Sequence, residues 1–490
     1  MNKINAAVSK ILFNKVDPIG LSIFRIAFSL ILLMEVLHLF KFRSLVYFGM
    51  SEFNPTLLFI FWIPVILMLI VGFKTKIAAI INYIFTVIVL SSLTKYEYHG
   101  YTIYLGLSFL MLFLPLSKKI SLDALLYTTS NNSDNKVYKV FYFAPVFLVI
   151  ALVYLDSVFF KLASNMWLDG LGMWLPASLP MATWSTFPAL MNNELLVKSL
   201  GYLVLIFETL FILLMWFKRF RITLLIIGVF FHIGILFFFP IPWFALAVVG
   251  VYTLMVPIKF WLILMSRLKL DQIKINALEK YKQIDNSLTI FSDKTIRRGW
   301  VLFFVISLSI QLLLTFRTPF MTKIFSNSLK NEASMYSKAF ALANKVGYIS
   351  HKFLGMTNHG LFLDDHFLGY SQIIKVVAEI KGKKILVPLI NDKGQPGSYI
   401  RGNFWTNYTF RVSDKHINID SYLLNVYPYL VYFCNNNNLN ISEVDFVLFS
   451  KAIEVPLKWE ENYLSKMIDR RWSKIGIYSV QNEQLELKIE

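Results

Sequence analysis

The chain has 490 residues, of which 56% are hydrophobic and 16% charged, whereas ordinary soluble domains are about 45–50% apolar and about 25% charged. This composition and a mean hydropathy of +0.57 exclude an ordinary soluble globular protein and indicate membrane spans. The net charge of +18 would suggest nucleic acid in a soluble protein, but cytoplasmic loops account for it here, and we expect no nucleic-acid partner. Since Cys434 is the only cysteine, an intrachain disulfide and a zinc–cysteine cluster are excluded.

Apolar segments follow one another along the first two thirds of the chain. Nine of them are long enough, or nearly so, to cross a bilayer core of about 30 Å. They lie at about 19–40, 57–73, 77–94, 101–117, 140–160, 197–217, 222–239, 243–263 and 299–317. The first is too long for a signal-peptide core and has no small-x-small cleavage site, so we interpret it as a retained helix. The sequence therefore predicts a polytopic α-helical membrane bundle of about nine transmembrane helices.

Basic residues orient this bundle, because cytoplasmic loops carry an excess of Lys and Arg. If the N-terminus is inside, the inner segments hold 21 Lys and Arg, nine of them in 257–298, and the outer loops between spans hold four. We therefore predict a cytoplasmic N-terminus. An odd number of spans then leaves the C-terminal portion outside, together with His99 and Lys161.

The composition changes after about residue 318, where alternating patterns replace long apolar runs. Strands are predicted at 373–380, 384–390, 406–412 and 475–480, and a helix at 421–434. These patterns predict three parts: a transmembrane domain (1–265), a basic cytoplasmic linker with the last transmembrane helix (266–317), and a C-terminal extracytoplasmic β-containing domain (318–490). The last part is α+β or β-sandwich-like.

Lys161 ends the fifth apolar segment and precedes a loop rich in Trp, Pro and Gly. An ionisable group at such a depth is expensive and indicates a function, although a lysine at a helix end can also extend its ammonium to the interface. Asp156, five residues earlier, lies roughly 140° away around a helix, so Ser157 is better placed beside Lys161. No local carboxylate neutralises the ammonium, and burial disfavours the charged form, which suits a base.

Further titratable residues within the spans should face the bundle interior or a partner. They are Arg25, Glu35, His38, Asp156, Glu208 and His232. For Arg25 and Glu208 we favour a structural link between helices. The structural interpretation of His99 is a polar cap at the membrane interface. The structural interpretation of His232 is a histidine that forms a hydrogen bond to a neighbouring helix.

Five stretches, taken in order, carry a family resemblance. They are Leu21 to Leu30, His99 to Gly106, Ser117 to Leu126, Lys161-Leu162 with Trp167 and Gly170, and Phe231 to Ile233. Together they resemble the vitamin K-dependent γ-glutamyl carboxylases and their bacterial relatives, the HTTM-domain proteins, over about residues 17–265. The animal enzymes have two adjacent lysines at the position of Lys161, and here the first of them is replaced by Phe160. The spacing from Lys161 to Trp167 is one residue longer than in the family, since Met166 is extra.

The resemblance implies an integral-membrane enzyme of the bacterial inner membrane, with its active site on the extracytoplasmic side. Lys161 would be the base and His99 a second catalytic residue, while His232, Trp167 and Arg25 would bind the cofactor. That cofactor is reduced vitamin K, a menaquinol-type hydroquinone, whose reaction with O2 drives the carboxylation of glutamate side chains by CO2. Membrane lipid and a peptide or protein glutamate substrate are the implied partners.

Two other functions remain open on this sequence. One is a quinol-dependent enzyme of different chemistry on the same scaffold, and the other is a non-enzymatic membrane protein that binds lipid or a partner. A separate polar cluster, His359, Asp364, Asp365 and His366, has residue types that bind metals, but its spacing matches no standard site, so we expect no metal. It could instead be the face that the outer domain presents to the membrane site.

Overall fold

The computed structural model describes residues 8–50, 54–126, 136–268, 292–330, 334–413, 415, 418–481 and 484–487. Part of the basic stretch 257–298 therefore lies outside the described residues. The longer helices are, in chain order, α1 (Ile19–Lys41), α2 (Pro55–Val71), α3 (Thr75–Leu90), α4 (His99–Met111), α5 (Val140–Lys161), α6 (Glu194–Leu214), α7 (Arg221–Phe238), α8 (Pro242–Met255), α9 (Ile258–Arg267), α10 (Asp293–Thr315), α11 (Met335–Leu354) and α12 (Ile419–Asn436).

Among the described residues, five helices are long and apolar enough to cross a membrane, namely α1, α5, α6, α7 and α10. Helices α8 and α9 count as a sixth span only if they are taken together, and they bend by 97°. The span predicted at 243–263 is therefore broken in the structure, and its crossing of the membrane stays a prediction. Pro257 lies at the break, and the residue before a proline disfavours helical backbone. Helices α2 and α3 are shorter, and α4 has 13 residues, so nine spans and the topology drawn from them stay a prediction.

Short helical segments connect these elements. The α-helical ones are Arg43–Val46, Leu122–Leu126, Asn165–Leu168, Trp174–Ser178, Pro188–Met191, Pro319–Ile324, Ser326–Leu329, Asp364–Phe367, Asn403–Asn407 and Tyr463–Ile468. Single 3-10 turns lie at Thr94–Tyr96, Pro180–Ala182, Thr253–Met255 and Ile441–Glu443, and π-helical turns at Phe147–Ala151 and Tyr408–Val412. The first π-helical turn lies inside α5, just after Pro145, whose missing N–H interrupts the helical hydrogen bonds.

A five-stranded antiparallel sheet forms the centre of the C-terminal part. The strands of the chain are β1 (Lys15–Val16), β2 (Val137–Tyr138), β3 (Gln372–Ile380), β4 (Lys383–Leu386), β5 (Asp445–Ala452), β6 (Ser473–Gln481) and β7 (Gln484–Leu487). The sheet has the strand order β4-β3-β5-β6-β7, and a separate pair, β1-β2, joins the N-terminal segment to the start of α5. In this register Val376 pairs with Leu448, and Val447 pairs with Ile477. The arrangement is α+β, not a β-sandwich.

Strands predicted at 373–380 and 475–480 are confirmed, as are the first part of 384–390 and the helix at 421–434. The strand predicted at 406–412 is wrong, because this stretch is helical. Its buried residues are Asn407, Tyr408, Thr409 and Val412, and with the preceding Trp405 the last three recur at helical spacing.

Close backbone contacts bring the helices around the site together. A Cβ on Gly201 of α6 would lie 2.3 Å from the Gly170 carbonyl oxygen, so only glycine permits this approach. Gly355 ends α11 with a φ of +66°, and a Cβ there would lie 2.1 Å from the carbonyl oxygen of Thr102 in α4. Because α11 also packs against α10, the chain after the last candidate span returns to the bundle.

Candidate functional site

Lys161 lies at the C-terminal end of α5, where its side chain turns into the bundle. Its Nζ is 2.5 Å from Oε1 and 2.6 Å from Oε2 of Glu208. The Lys161 residue is 4% exposed and Glu208 is 2% exposed. A pair so deeply buried must satisfy its own charges, because water does not solvate it.

Glu208 comes from α6, a helix distant in sequence. Its position follows from a buried stripe on α6 formed by Val197, Gly201, Val204, Glu208 and Phe211, a spacing that places one side chain above another on a single face. The hydroxyl group of Ser157, one turn before Lys161 on α5, also bonds to the Glu208 carboxylate. The sequence favours a structural link between helices for Glu208. Glu208 does link α5 and α6, and it also supplies the partner carboxylate that no residue near Lys161 in the sequence provides.

Trp167 covers the lysine, because the Lys161 Nζ lies 4.4 Å from the centre of the indole ring. An ammonium over an indole face is stabilised by the ring quadrupole. The indole packs against Gly172, where a Cβ would lie 2.1 Å from Trp167 Cδ2, and its Nε1 donates to the Phe362 carbonyl at 2.7 Å. The ring is therefore held on its face and at its edge.

A cavity of about 50 Å³ opens beside this group, which is more than the roughly 10–15 Å³ that one water molecule needs. Its polar lining includes Lys161, Glu208, His232 and His359, and its apolar lining comes mostly from α4, α5, α7 and α8 and from residues 361 and 362. A few convergent polar groups on an otherwise apolar wall are the usual composition of a small-molecule site.

His232 is fixed by a hydrogen bond within α7. Its Nδ1 is 2.9 Å from the carbonyl oxygen of Gly228, which can only accept, so Nδ1 carries the proton. In the neutral ring Nε2 is then an acceptor, and no hydrogen bond to it is made by the residues that the structure describes. Because His232 lines the cavity, this nitrogen is suited to accept a hydrogen bond from a bound hydroxyl group.

The segment 358–367 contributes residues 359, 361 and 362 to the cavity wall. The backbone N–H of His359 donates to Asp156 Oδ2 at 2.6 Å, and the Asn358 side chain donates to Oδ1 at 3.2 Å. Farther on, the Asp364 carboxylate accepts the backbone N–H groups of Asn165 and Met166 at 2.6 and 3.0 Å. Two carboxylates thus tie this segment to both sides of Lys161.

Of the polar cluster in this segment, only His359 lines the cavity among the described residues, so the cluster as a whole does not form a face toward the membrane site. His359 lines the cavity, is 2% exposed, and makes no ring hydrogen bond within the described residues. Burial lowers the pKa of its imidazole well below the usual value, so the ring is neutral. No group of three or more metal-binding side chains was found in the part of the chain that the structure describes.

The other residues implied by the resemblance lie at different distances from the cavity. His99 begins α4 beside His359, with 5.8 Å between the ring centres, but it is not part of the cavity wall. Arg25 is not brought to the cavity. Its guanidinium donates to the Leu116 carbonyl at 2.8 Å and to the Ile120 carbonyl, so it holds the loop after α4 in place.

The fold and the site define the class of the protein: a helical membrane protein with a buried lysine–carboxylate pair at the end of an apolar cavity. The family model of the HTTM domain matches residues 13–260, about half of the chain, and the chain belongs to this family. No curated protein and no solved structure matches the chain. The segment 358–367 lies outside the matched residues.

Proposed function

We propose that this chain is an integral-membrane enzyme of the vitamin K-dependent γ-glutamyl carboxylase type. In this proposal it couples the oxidation of a hydroquinone by O2 to the carboxylation of glutamate side chains by CO2. The observation that carries the proposal is the buried Lys161–Glu208 pair, which lies under Trp167 at the wall of an apolar cavity. The HTTM domain, the family of the vitamin K-dependent carboxylase, adds support.

The chemistry of the lining suits a hydroquinone, and the cavity of about 50 Å³ has to widen to admit its ring. Apolar side chains such as Ile235 and Phe244 suit its ring and isoprenoid tail, while the ion pair and the His232 Nε2 suit its hydroxyl groups. When bound and oxidised by O2, such a quinol supplies the strong base that removes a γ-proton from glutamate, and CO2 then traps the carbanion. The protein has to bind and orient the quinol, take up its proton and exclude water.

The Lys161–Glu208 pair is the group that takes up the proton. At 2.5 Å the two side chains share one proton, either as ammonium and carboxylate or as amine and carboxylic acid, and both forms have a net charge of zero. One further proton, accepted at Nζ or at a carboxylate oxygen, gives the pair a net charge of +1. In an apolar site this charge would stabilise a negative charge left on a hydroquinone bound in the cavity. Trp167 stabilises the ammonium form in addition.

The orientation of the protein follows from the basic residues. Lys161 ends α5, and Lys139 lies just before its start, so the two lysines lie at opposite ends of one candidate span. Because Lys and Arg accumulate at cytoplasmic ends, and the segments on the Lys139 side of the predicted topology hold 21 of them against four on the Lys161 side, we infer that Lys139 lies inside the cell and that the site, with the C-terminal domain, lies outside. A lipid-soluble quinol then reaches the cavity from the membrane, and a glutamate-containing peptide or protein reaches it from the outer face.

The direct test is an assay of the purified protein with reduced vitamin K, labelled bicarbonate and a glutamate-containing peptide. Quinone epoxide and incorporated label are measured together in wild type, in Lys161→Met and in Lys161→Met/Glu208→Leu, which removes both charges. Lys198→Met is the matched control, since Lys198 forms an exposed pair with Glu194. We expect both products in wild type and control, and neither in the two Lys161 variants.

The other outcomes separate the alternatives. Epoxide without label, lost in both Lys161 variants, favours a quinol-dependent enzyme of different chemistry. If no quinol yields any product with folded wild-type protein, the enzymatic proposal is wrong and a binding role is the better interpretation.

A further inference from the structure

The proton that the Lys161–Glu208 pair accepts has to leave before the next turnover. Both residues are almost fully buried, so bulk water cannot remove it directly. A route to solvent requires groups that accept a proton on one atom and release one from another. Neutral imidazoles do this with their two ring nitrogens.

Two such rings lie between the cavity and the surface. His359 faces the cavity that Lys161 and Glu208 also line, and the volume of about 50 Å³ leaves room for bridging water. The ring of His99 lies edge-to-face against His359, with 5.8 Å between the centres and 63° between the planes. The two rings are therefore neighbours, and a water molecule beside this contact would link a nitrogen of one ring to a nitrogen of the other.

Beyond His99 the route reaches an exposed pair. His351 Nε2 lies 2.8 Å from Glu97 Oε1, and the two side chains are 30% and 40% exposed. Both residues line a second opening, which residues 101, 102 and 105 of α4 also line. Glu97, His351, His366 and Arg411 are close enough to His99 to influence it electrostatically. The hydrogen bond with His351 lowers the pKa of Glu97, so Glu97 stays a carboxylate that attracts an emerging proton.

We propose that His359 and His99 form a proton route from the Lys161–Glu208 pair to the exposed Glu97–His351 pair. The route rests on the proposed function, since it discharges the proton that the pair takes from a quinol. A proton passes from the Lys161–Glu208 pair to one nitrogen of His359, the other nitrogen of that ring releases a proton to His99, and His99 passes one to Glu97 or water. No bond other than N–H and O–H bonds changes, and no electrons are transferred.

The position of His359 supports this assignment over a structural one. Asp156 holds the backbone N–H of His359 and not its ring, so the ring has no hydrogen bond that explains its burial within the described residues. Because the ring lines the cavity, its nitrogens are available there to water or to a bound ligand. The neighbouring His366, by contrast, accepts the Leu363 N–H at 3.3 Å and packs against Phe410.

The test uses 2-hydroxy-1,4-naphthoquinone, an acidic quinone whose absorption changes when it ionises. The dye is bound to the full-length protein in lipid nanodiscs, and the pH is changed rapidly in a stopped-flow instrument. The absorption change of bound dye then reports how fast protons pass between cavity and bulk. Variants His359→Gln and His99→Gln keep a polar side chain but remove the relay, and His366→Gln is the control on the same segment.

We expect proton exchange to slow by on the order of tenfold or more in His359→Gln and His99→Gln, and not in His366→Gln. In His359→Gly, added imidazole should restore the rate, which a purely structural role of His359 would not produce. Unchanged exchange in His359→Gln, or slow exchange that imidazole does not restore, would overturn the route. If the dye does not bind wild type, or if it binds Lys161→Met as tightly as wild type, the proposed quinol site is wrong, and the proton route is then wrong as well.

Discussion

Removing one partner of the Lys161–Glu208 pair should be far more harmful to folding than removing both. In Glu208→Leu, an ammonium that is 4% exposed loses the only carboxylate within 2.6 Å of it among the described residues. Breaking a buried pair in this way costs about 3–5 kcal/mol, whereas replacing both charges by apolar groups of similar volume is often neutral or stabilising. We therefore expect Glu208→Leu to be destabilised by about 3–5 kcal/mol. The double variant Lys161→Met/Glu208→Leu should lie within about 1 kcal/mol of wild type or above it.

The free energy of unfolding is measured by denaturant titration in detergent micelles for wild type, both single variants and the double variant. The four values form a double-mutant cycle, which isolates the coupling between the two side chains. Lys198 and Glu194 supply the control cycle, because their exposed pair, 2.6 Å apart, should show a coupling of only about 0.3–0.5 kcal/mol.

The reasoning would be refuted if Glu208→Leu cost less than about 1 kcal/mol, the range of an exposed pair. It would also be refuted if the double variant were as unstable as either single variant, because burial would then not be what makes the unpaired charge expensive. Either result would leave Lys161 as a lysine that reaches the interface, the plain interpretation of its sequence position.

Three further predictions concern the surroundings of the site. Gly355→Ala should destabilise the protein by about 1–3 kcal/mol in the same titration, because residue 355 has a left-handed backbone conformation and the new Cβ would lie 2.1 Å from a backbone carbonyl oxygen. Gly234→Ala is the control, since the space around Gly234 is open, and it should not destabilise the protein. Asp364→Asn should weaken the hydrogen bonds to the backbone N–H groups of residues 165 and 166 by about 1 kcal/mol, and limited proteolysis within 358–367 should then be faster. Asp365→Asn, at an exposed residue, is the control, and equal proteolysis rates in the two variants would contradict the role of Asp364 in holding this segment. Arg25→Leu should lower stability but leave the affinity for the naphthoquinone dye unchanged, and a clear loss of affinity would return Arg25 to the cofactor site.

Sequence position was enough to find Lys161 but not its partner. A lysine at the end of an apolar run is expensive wherever it lies, so its position alone raises a functional question. Glu208 has a similar signal, since it interrupts the apolar run of α6, and the buried stripe with Gly201 and Phe211 marks its face as the inner one. What the sequence lacked was the approach of α6 to Gly170, which depends on the contact between two glycines.

The departures of the fold from the predictions have local causes that are visible in the sequence. Pro257 lies within the predicted span at 243–263, at the break where helices α8 and α9 bend by 97°. The stretch 406–412 was interpreted through its aromatic and β-branched residues, although its buried positions repeat at helical spacing. Strand β5 was missed because its apolar run, Phe446 to Phe449, is continuous, and such a run does not distinguish a buried strand from a buried helix.

The contribution of the segment 358–367 could not have been predicted from the family resemblance, which ends near residue 265. Four side chains in the matched part bring charge and shape to the cavity, namely Lys161, Glu208, Trp167 and His232, but the matched part leaves one side open. The C-terminal part closes that side with His359 and Phe362, and two carboxylates, Asp156 and Asp364, hold it there. Under the proposed function, the site cannot stay open to bulk water while the Lys161–Glu208 pair takes up a proton, because the pair would then lose the low dielectric that makes its charge effective. The C-terminal domain is therefore a part of the site itself, and a chain cut after the HTTM match should lose the closed cavity even if its helices still insert into the membrane.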